Sequence, residues 1–413
     1  MPRRWLVFLA VSLMFCFVTG STFMSLGVVL YAMIGTLHWS QAAAGTSFAV
    51  LGLACCLSSP LPAILMSRIG ARWTMLCGGA LLSAGFICAY FTQGIGLFYC
   101  GAALMGVGFS LGANIPGVYL LASWFPERPA RIIGLYLMFG AFGGVAAPPL
   151  ASWIVSDGGG WRIHWLVMAV LAALSALVCL LCVRDRPTDR PSNGLGPKPD
   201  GPHARDWIYR EAALTPQFML IAAAMVLTQA CVTTVQSAGV SHLAALGNSA
   251  AFAALMLSLQ SLMATLAKGA AGTLAEIIPP KQLLGGGLLI QSLGMLLLAH
   301  ASSHGISYAF AVAFGVGWGA AYLAVTILLI EYFGPNTGSA VLSTVWLLTG
   351  VAAFGPPAAG LIDDRFGSFA PAFTFGGVML LPLALAALLL RVPRRGALPS
   401  AATSKVATDH SAP

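Results

Sequence analysis

Lys268 is the residue with the clearest chemical potential in this 413-residue chain, because it is a cation inside an apolar stretch of sequence. Small and polar residues recur around it at helical spacing, so a helix would place them on its face: Ser261, Thr265 and Gly272. A charged side chain in a membrane interior costs about 3 kcal/mol or more, and such residues usually serve a function. Two interpretations stay open from the residues alone. Either Lys268 binds an anion in the interior, or its ammonium reaches the polar membrane surface near Glu276.

Aromatic and amide side chains in other apolar stretches form a second group of candidates. Trp318 and Tyr322 lie one helical turn apart and therefore share a face. The remaining candidates, which either line a substrate site or pack and bond between helices, are Tyr119, Tyr136, Asn114 and Gln236.

Carboxylates are absent from the middle of every apolar stretch, and acids such as Glu276 and Glu331 fall at the ends. Proton-driven exporters of cations commonly need an intramembrane acid, so the sequence disfavours that class. Gly106 and Gly108 lie in an apolar stretch with no strand before it, which favours close helix packing over a dinucleotide loop. No metal-ligand cluster, phosphate loop or nucleophile–base pair is present, so we expect neither an enzyme nor a cofactor.

The elements that position these residues are membrane spans. Hydrophobic residues make up 58% of the chain and charged residues 8%, whereas soluble domains carry about a quarter charged residues. The surface must therefore mostly face the lipid bilayer. The predicted spans are 5–33, 40–66, 73–92, 96–123, 130–155, 163–183, 214–244, 249–275, 282–301, 305–333, 338–362 and 369–391. The first is too long for a signal-peptide core, and we expect it to be retained.

The positive charge follows a topology. The formal net charge is +8, yet nearly all lysines and arginines outside the spans fall on one side if the spans alternate, with Arg162 and Arg365 as the exceptions. This bias predicts that both termini are cytoplasmic. The charge therefore does not indicate a nucleic-acid partner.

The two halves of the chain repeat each other. Pro148-Pro149 recurs as Pro356-Pro357 and Gly78-Gly79 as Gly286-Gly287, both 208 positions later. We predict an all-α membrane protein of twelve transmembrane helices in two pseudo-symmetric six-helix bundles, 1–183 and 213–395. A cytoplasmic linker, 184–212, joins them, and 396–413 is a disordered tail. Parallel halves of this kind usually hold a substrate between them near mid-membrane.

The loop after the second span resembles the signature of the major facilitator superfamily. It reads Ala63-Ile-Leu-Met-Ser-Arg-Ile-Gly-Ala-Arg72, with Ser67 where the family usually has Asp. Gly272 to Glu276 is the second-half copy and keeps the Gly and the acid. The resemblance implies the major facilitator fold and a gating role for Ser67, Arg68, Gly70, Arg72, Gly272 and Glu276.

Lys268-Gly-Ala-Ala-Gly272 is similar to the monocarboxylate transporter and oxalate–formate antiporter branch of that superfamily. The branch has an Arg at the position of Lys268, and this Arg engages the substrate carboxylate. Lys keeps the charge but loses the bidentate fork. The branch's dicarboxylate exchangers have a second cation where this chain has Trp346, and its monocarboxylate carriers have a Lys where it has Met24. The resemblance thus implies a single carboxylate, with Trp346 beside it.

We therefore expect a monomeric secondary carrier of small organic monoanions in the inner membrane, linked to protons. The Asp that takes part in proton coupling in monocarboxylate carriers is Ala264 here, so the hypothesis assigns the proton to Lys268. The alternatives are an anion antiporter, an exporter of another substrate class, and a transporter-like sensor, for which the linker and tail are too short to form an output domain.

Overall fold

The computed structural model describes residues 3–125, 129–183 and 208–393, which are almost entirely helical. Eleven helices are long and apolar enough to cross a membrane, or twelve if the bent pair Gln41–Leu57 and Leu61–Ile69 is one span. The predicted all-α membrane architecture is confirmed. The first six spans are Arg3–Leu37, that bent pair, Ala71–Tyr90, Ile95–Trp124, Pro129–Ser156 and Trp161–Cys182. Spans seven to twelve are Pro216–Ala245, Ala250–Leu274, Pro280–Ala299, His304–Phe333, Pro335–Phe366 and Ala370–Leu388.

Successive spans cross in opposite directions, so Arg3, Val183, Ile208 and Leu388 lie at one membrane face. We call this face the linker side and the opposite face the far side. The predicted tail and most of the predicted linker lie outside the described residues. The end of the predicted linker is the short helix Tyr209–Ala213, where the Tyr209 hydroxyl is 2.7 Å from Oγ1 of Thr344 in span eleven.

Several spans are interrupted, and local sequence explains two of the interruptions. Span two bends by 49° around Pro60, and span eleven passes through a 3₁₀ helix, Thr349–Phe354, directly before Pro356 and Pro357. Proline has no amide hydrogen and its ring collides with the carbonyl four residues earlier, which breaks the α-helical ladder. Span one contains a π-helical turn, Gly20–Met24, a feature that is frequent at functional sites.

The internal repeat is also a repeat of contacts. Gly106 of span four lies against the carbonyl oxygen of Leu51, and Gly315 of span ten lies against that of Gln260. Each residue of the second pair comes 209 positions after its counterpart. Any β-carbon at either glycine would collide with that backbone. Because these glycines have no side chain, the two helices can pack this closely in each half.

The halves meet between mid-membrane and the far side. Gly45 of span two lies against the backbone of Pro356, and Gly27 of span one against that of Gln236. At mid-membrane, a β-carbon on Gly144 would lie 3.2 Å from Ser261 Oγ and 3.3 Å from Met24 Cγ. On the linker side, the main packing partners of Leu61–Ile69 and Pro335–Leu348 all belong to their own halves, as far as the structure describes them. The space between the halves consequently opens toward the linker side.

A carboxylate from span eleven clasps span two at the far side. Asp364 accepts hydrogen bonds from the amides of Gln41 (2.9 Å) and Ala42 (3.0 Å), and Ser40 Oγ accepts from Ala43 (3.1 Å). These three amides begin the helix Gln41–Leu57 and would otherwise lack acceptors. The anionic charge at a helix N-terminus is also favourable. Separating the halves here breaks both bonds to Asp364, so the clasp favours the state closed at the far side.

We expect Asp364→Ala to raise the population ratio of far-side-open to far-side-closed molecules about fivefold, since losing a helix cap costs about 1 kcal/mol. The ratio would be followed by labelling Met24→Cys, in a variant without the nine native cysteines, with an impermeant reagent added from the far side. Asp363→Ala is the matched control, because the described contacts of Asp363 include no hydrogen bond to span two. Equal labelling rates in both variants would contradict the clasp.

Candidate functional site

Lys268 lies on the face of span eight that meets the first half. It follows Ser261 by seven residues, which is two helical turns toward the linker side. The Ser261 side chain packs against Gly144 of span five at mid-membrane, and the Ser258 hydroxyl one turn before donates to the carbonyl of Val145. Because the halves separate beyond this contact, the Lys268 side chain faces the space between them.

The ammonium of Lys268 points into the membrane. Side chains on a helix lean toward its N-terminus, and span eight begins at the far side. Nζ lies 4.4 Å from the ring centroid of Tyr322 and 4.7 Å from that of Trp318. Trp318 is near the midpoint of the helix His304–Phe333. This geometry favours an interior position of the charge over the other interpretation, in which the ammonium reaches the linker-side surface near Glu276.

Ring faces are the neighbours that the structure records for this charge. Within the described ranges, Lys268 makes no ion pair and its ammonium donates no hydrogen bond. A cation on an aromatic face gains about 0.5–2 kcal/mol, which is less than the roughly 3 kcal/mol or more that the interior costs. The site is therefore left with a positive charge that an anion would stabilise.

A glutamine that sequence reasoning missed holds one of these rings. Nε1 of Trp318 donates a hydrogen bond of 3.2 Å to Oε1 of Gln229 in span seven. Indole nitrogen is only a donor, so the amide oxygen must face it and the amide NH₂ must point elsewhere. A signal existed in the sequence: Gln229 lies two helical turns before Gln236, the amide that was selected instead.

The predicted aromatic candidates Trp318, Tyr322 and Trp346 come together around Lys268. Rings of Tyr322 and Trp346 lie 5.1 Å apart between centroids at an angle of 52°. Thr265 is one turn from Lys268, but its hydroxyl donates to the carbonyl of Ser261 at 2.8 Å. The Thr265 hydroxyl proton is therefore used within its own helix, and a role of this residue in substrate binding stays a prediction.

Other sequence candidates are placed elsewhere. Tyr136 is fully buried in the first half, where its hydroxyl donates to the carbonyl of Ala113 at 2.8 Å and its ring stacks on Phe15 at 4.7 Å. Its hydroxyl proton is therefore used in helix packing, and a role of Tyr136 in substrate binding stays a prediction. Gln236 is buried beside Gly27, and its amide atoms have no described partner. Tyr119 lies half-buried in span four.

Asn114 begins the second helix of span four, Asn114–Trp124, but its side chain lies outside the described part of the structure. Its suggested role in orienting a substrate stays a prediction.

The residues suggested for gating lie at the linker side. The Ser67 and Arg68 side chains are exposed at the end of span two, with Ser67 Oγ donating to the carbonyl of Ile64 at 2.8 Å. Gly70 has φ +85°, a conformation that favours glycine, and it reverses the chain into span three. Nε of Arg72 donates to the carbonyl of Leu180 at 2.6 Å.

The second-half copy is more open. Gly272 faces Leu323 of span ten at ordinary contact distance, and Glu276 is exposed just after span eight. Both copies of the motif thus sit where the space between the halves is open.

Comparison with known proteins gives a consistent family. The sequence pattern of the Major Facilitator Superfamily matches residues 11–245 and 224–410. Monocarboxylate transporter 3 of Rattus norvegicus is 29% identical over 339 residues, covering 78% of this chain and 66% of the transporter. An uncharacterized transporter of Bacillus subtilis, YycB, is 32% identical over 152 residues, or 36% of this chain and 37% of that protein. The vesicular acetylcholine transporter of Mus musculus is 29% identical over 130 residues, which is 31% of this chain but only 24% of that protein.

Solved structures share the fold. A bacterial homologue of the human lysosomal transporter Spinster, inward-facing and occupied, superimposes with a TM-score of 0.77 over 94% of this chain and 97% of its own, at 17% identity. The nucleoside transporter NupG gives a TM-score of 0.77 over 94% of this chain and 99% of its own, at 14% identity.

The exposed gating residues lead to a prediction. Ser67→Asp adds a carboxylate to the linker-side end of span two, where it can latch the halves as they close, so we expect the population to shift toward far-side-open molecules. Removing the acid with Glu276→Gln should shift it the opposite way. Labelling of Met24→Cys from each side, in the cysteine-free background, measures both. Unchanged rates in both variants would show that the motif does not gate this chain.

Proposed function

The chain belongs to the Major Facilitator Superfamily, and we propose that it is a secondary carrier of small organic monoanions in which Lys268 binds the carboxylate. It is a multi-span membrane transporter and not an enzyme. The anion, the membrane and the coupling belong to the proposal.

The observation that carries the proposal is the uncompensated ammonium of Lys268 in the membrane interior. Its two ring neighbours offset only part of the cost of the charge. An arriving carboxylate supplies the missing counter-charge, and a single cation matches a single carboxylate. A cationic substrate would instead be repelled by the same group.

The relatives support this substrate class unequally. Rat monocarboxylate transporter 3 aligns with most of the chain, whereas the mouse vesicular acetylcholine transporter aligns with less than a third of it. The name of the second relative suggests a cation, which is the rival exporter function. A fixed ammonium facing the space between the halves favours the monocarboxylate interpretation over that rival.

Transport would proceed by alternating access. In the structure the halves touch toward the far side and separate toward the linker side, which is the arrangement of an inward-facing carrier if the linker is cytoplasmic. The basic residues at that side support this orientation in an inner membrane. Opening to the far side would break the Asp364 clasp and close the linker side around the gating motifs. The carrier needs only one chain for this cycle.

Proton linkage can be assigned to Lys268 itself. In the described part of the spans, the position one turn before it is Ala264, which cannot titrate. A lysine can exist with or without its proton, whereas arginine stays protonated in proteins. Lys268 would then bind a proton together with its anion, release both, and return neutral. If it always keeps its proton, the protein is an anion antiporter.

Anion binding should depend on Lys268. We expect Lys268→Ala to raise the Kd for C2 to C8 monocarboxylates at least about 30-fold, because truncating one member of a buried charge pair costs about 2–5 kcal/mol. Lys268→Arg should retain binding with altered selectivity. Lys281→Ala is the control, since its ammonium donates to the carbonyl of Leu390 at the linker side. Calorimetry on purified protein measures all four proteins, and unchanged affinity in the alanine variant at position 268 would exclude the proposal.

Proton coupling separates the two remaining mechanisms. We expect Lys268→Arg to retain anion exchange but lose proton-linked net uptake, because the guanidinium cannot release its proton. Reconstituted vesicles that contain a pH-sensitive dye report both activities. Equal proton-linked uptake in the variant would exclude Lys268 as the proton carrier. A wild-type protein that exchanges anions without proton movement would identify an antiporter.

A further inference from the structure

We infer that the site is built for a carboxylate attached to a planar aromatic ring, with the ring against Trp346. This inference rests on the proposed function and names the class of monoanion. The inference is based on the distances around Lys268, on Met24 of the first half, and on the direction of the Gln229 amide.

Two successive contacts connect the ammonium to Trp346, the first of them with the ring of Tyr322. Nζ of Lys268 is 4.4 Å from the Tyr322 ring, and that ring is 5.1 Å from Trp346. Trp346 therefore lies at most about 9.5 Å from the charge, the sum of the two separations. A carboxylate oxygen binds an ammonium at about 2.8 Å, and aromatic rings pair at about 4.5–7 Å between centroids. A ring joined to the carboxyl carbon directly, or through one further carbon, is long enough to reach Trp346 from a carboxylate held at the ammonium.

The three rings are not equivalent. Trp318 and Tyr322 already contact the ammonium, and Trp318 is only 7% exposed. Trp346 and Tyr322 are both half-buried, and their rings pack against each other. Trp346 makes no described contact with the ammonium, so its ring can contact a substrate tail without displacing the cation.

An apolar residue of the first half, Met24, faces span eight near mid-membrane. Met24 lies next to Gly144 and Ser261, two turns from Lys268 along the same face. A thioether makes favourable contacts with aromatic rings and offers no counter-charge to a second carboxylate. A substrate tail with hydroxyl or charged groups would lose hydration against Met24 and Trp346 without gaining partners.

Polar groups collect at the other end of the site. The amide oxygen of Gln229 is bound to Trp318, so its NH₂ is the group left to donate, and it has no partner within the described ranges. The site therefore has its hydrogen-bond donors near Lys268 and its apolar surface near Trp346. This polarity matches an amphipathic acid with one carboxylate and one flat apolar tail.

Two acids of similar size test the inference: benzoate, whose ring is planar, and cyclohexanecarboxylate, whose ring is not. We expect benzoate to bind wild-type protein about 2- to 10-fold more tightly, the range that corresponds to an aromatic pair. Trp346→Leu should bring the ratio of the two Kd values to about one while cyclohexanecarboxylate changes less than about twofold. Trp346→Phe keeps an aromatic ring and should retain part of the preference for benzoate. This variant separates the effect of losing the ring from the effect of poor folding.

Trp153→Leu is the matched control, because this tryptophan of span five is 59% exposed on the outer surface of the bundle and should leave the ratio unchanged. A ratio near one in wild-type protein, or an unchanged ratio in Trp346→Leu, would overturn the inference. Those outcomes leave the proposed function intact as long as both acids lose affinity in Lys268→Ala. Benzoate binding that is insensitive to Lys268→Ala, or equal binding of uncharged benzamide, would overturn the proposed function instead.

Discussion

A positive charge in an apolar interior, with no counter-charge in the part of the chain that the structure describes, governs the arrangement around Lys268. Hydrocarbon cannot solvate an ammonium, so the neighbouring side chains must stabilise its charge. The rings of Trp318 and Tyr322 turn their faces to it, and Gln229 fixes one of them through the indole N–H. The direction of the helix determines where the ammonium lies, because span eight begins at the far side and its side chains lean into the membrane. Among the described residues this cation is only partly compensated, and the proposed anion binding rests on that.

The helices that position this charge are held together by close packing at other points along the spans. Water is absent from the bilayer core, so association between spans relies on surface fit and small residues instead of hydrophobic driving force. Gly106 and Gly315 let spans four and ten lie directly on the backbones of spans two and eight. Between the halves, Gly27 and Gly45 make comparable backbone contacts and Gly144 a looser one with side chains, all in the region from mid-membrane to the far side. Rigid packing within each half and a limited contact between halves are what a rocking carrier requires.

The sequence alone was sufficient to predict the features that depend on a periodic pattern of residues. Apolar length predicted the spans, and helical spacing placed Ser261 on the Lys268 face and Trp318 beside Tyr322, because residues on one helix keep fixed relations. The sequence alone could not predict the contacts between helices. The choice between Gln229 and Gln236 as the partner of span ten, and the reach of Asp364 to span two, depend on helix rotation and depth that no local pattern encodes. Tyr136 illustrates the same limit, because its hydroxyl donates to the carbonyl of Ala113 in its own half, a contact that the sequence pattern does not encode.

If the chain is the monoanion carrier proposed above, Lys268 also has an electrical consequence. A membrane potential acts on charge that moves through its field, at about 2.3 kcal/mol per elementary charge for each 100 mV. With a monoanion bound, the pair at Lys268 is neutral, and the voltage does little work on the loaded carrier as it reorients. An empty carrier that keeps its proton presents a full positive charge, so its return is accelerated or slowed by the sign of the potential. An empty carrier that has released the proton returns at a rate independent of voltage. The electrogenicity of the return step is therefore a direct readout of the protonation state of one side chain.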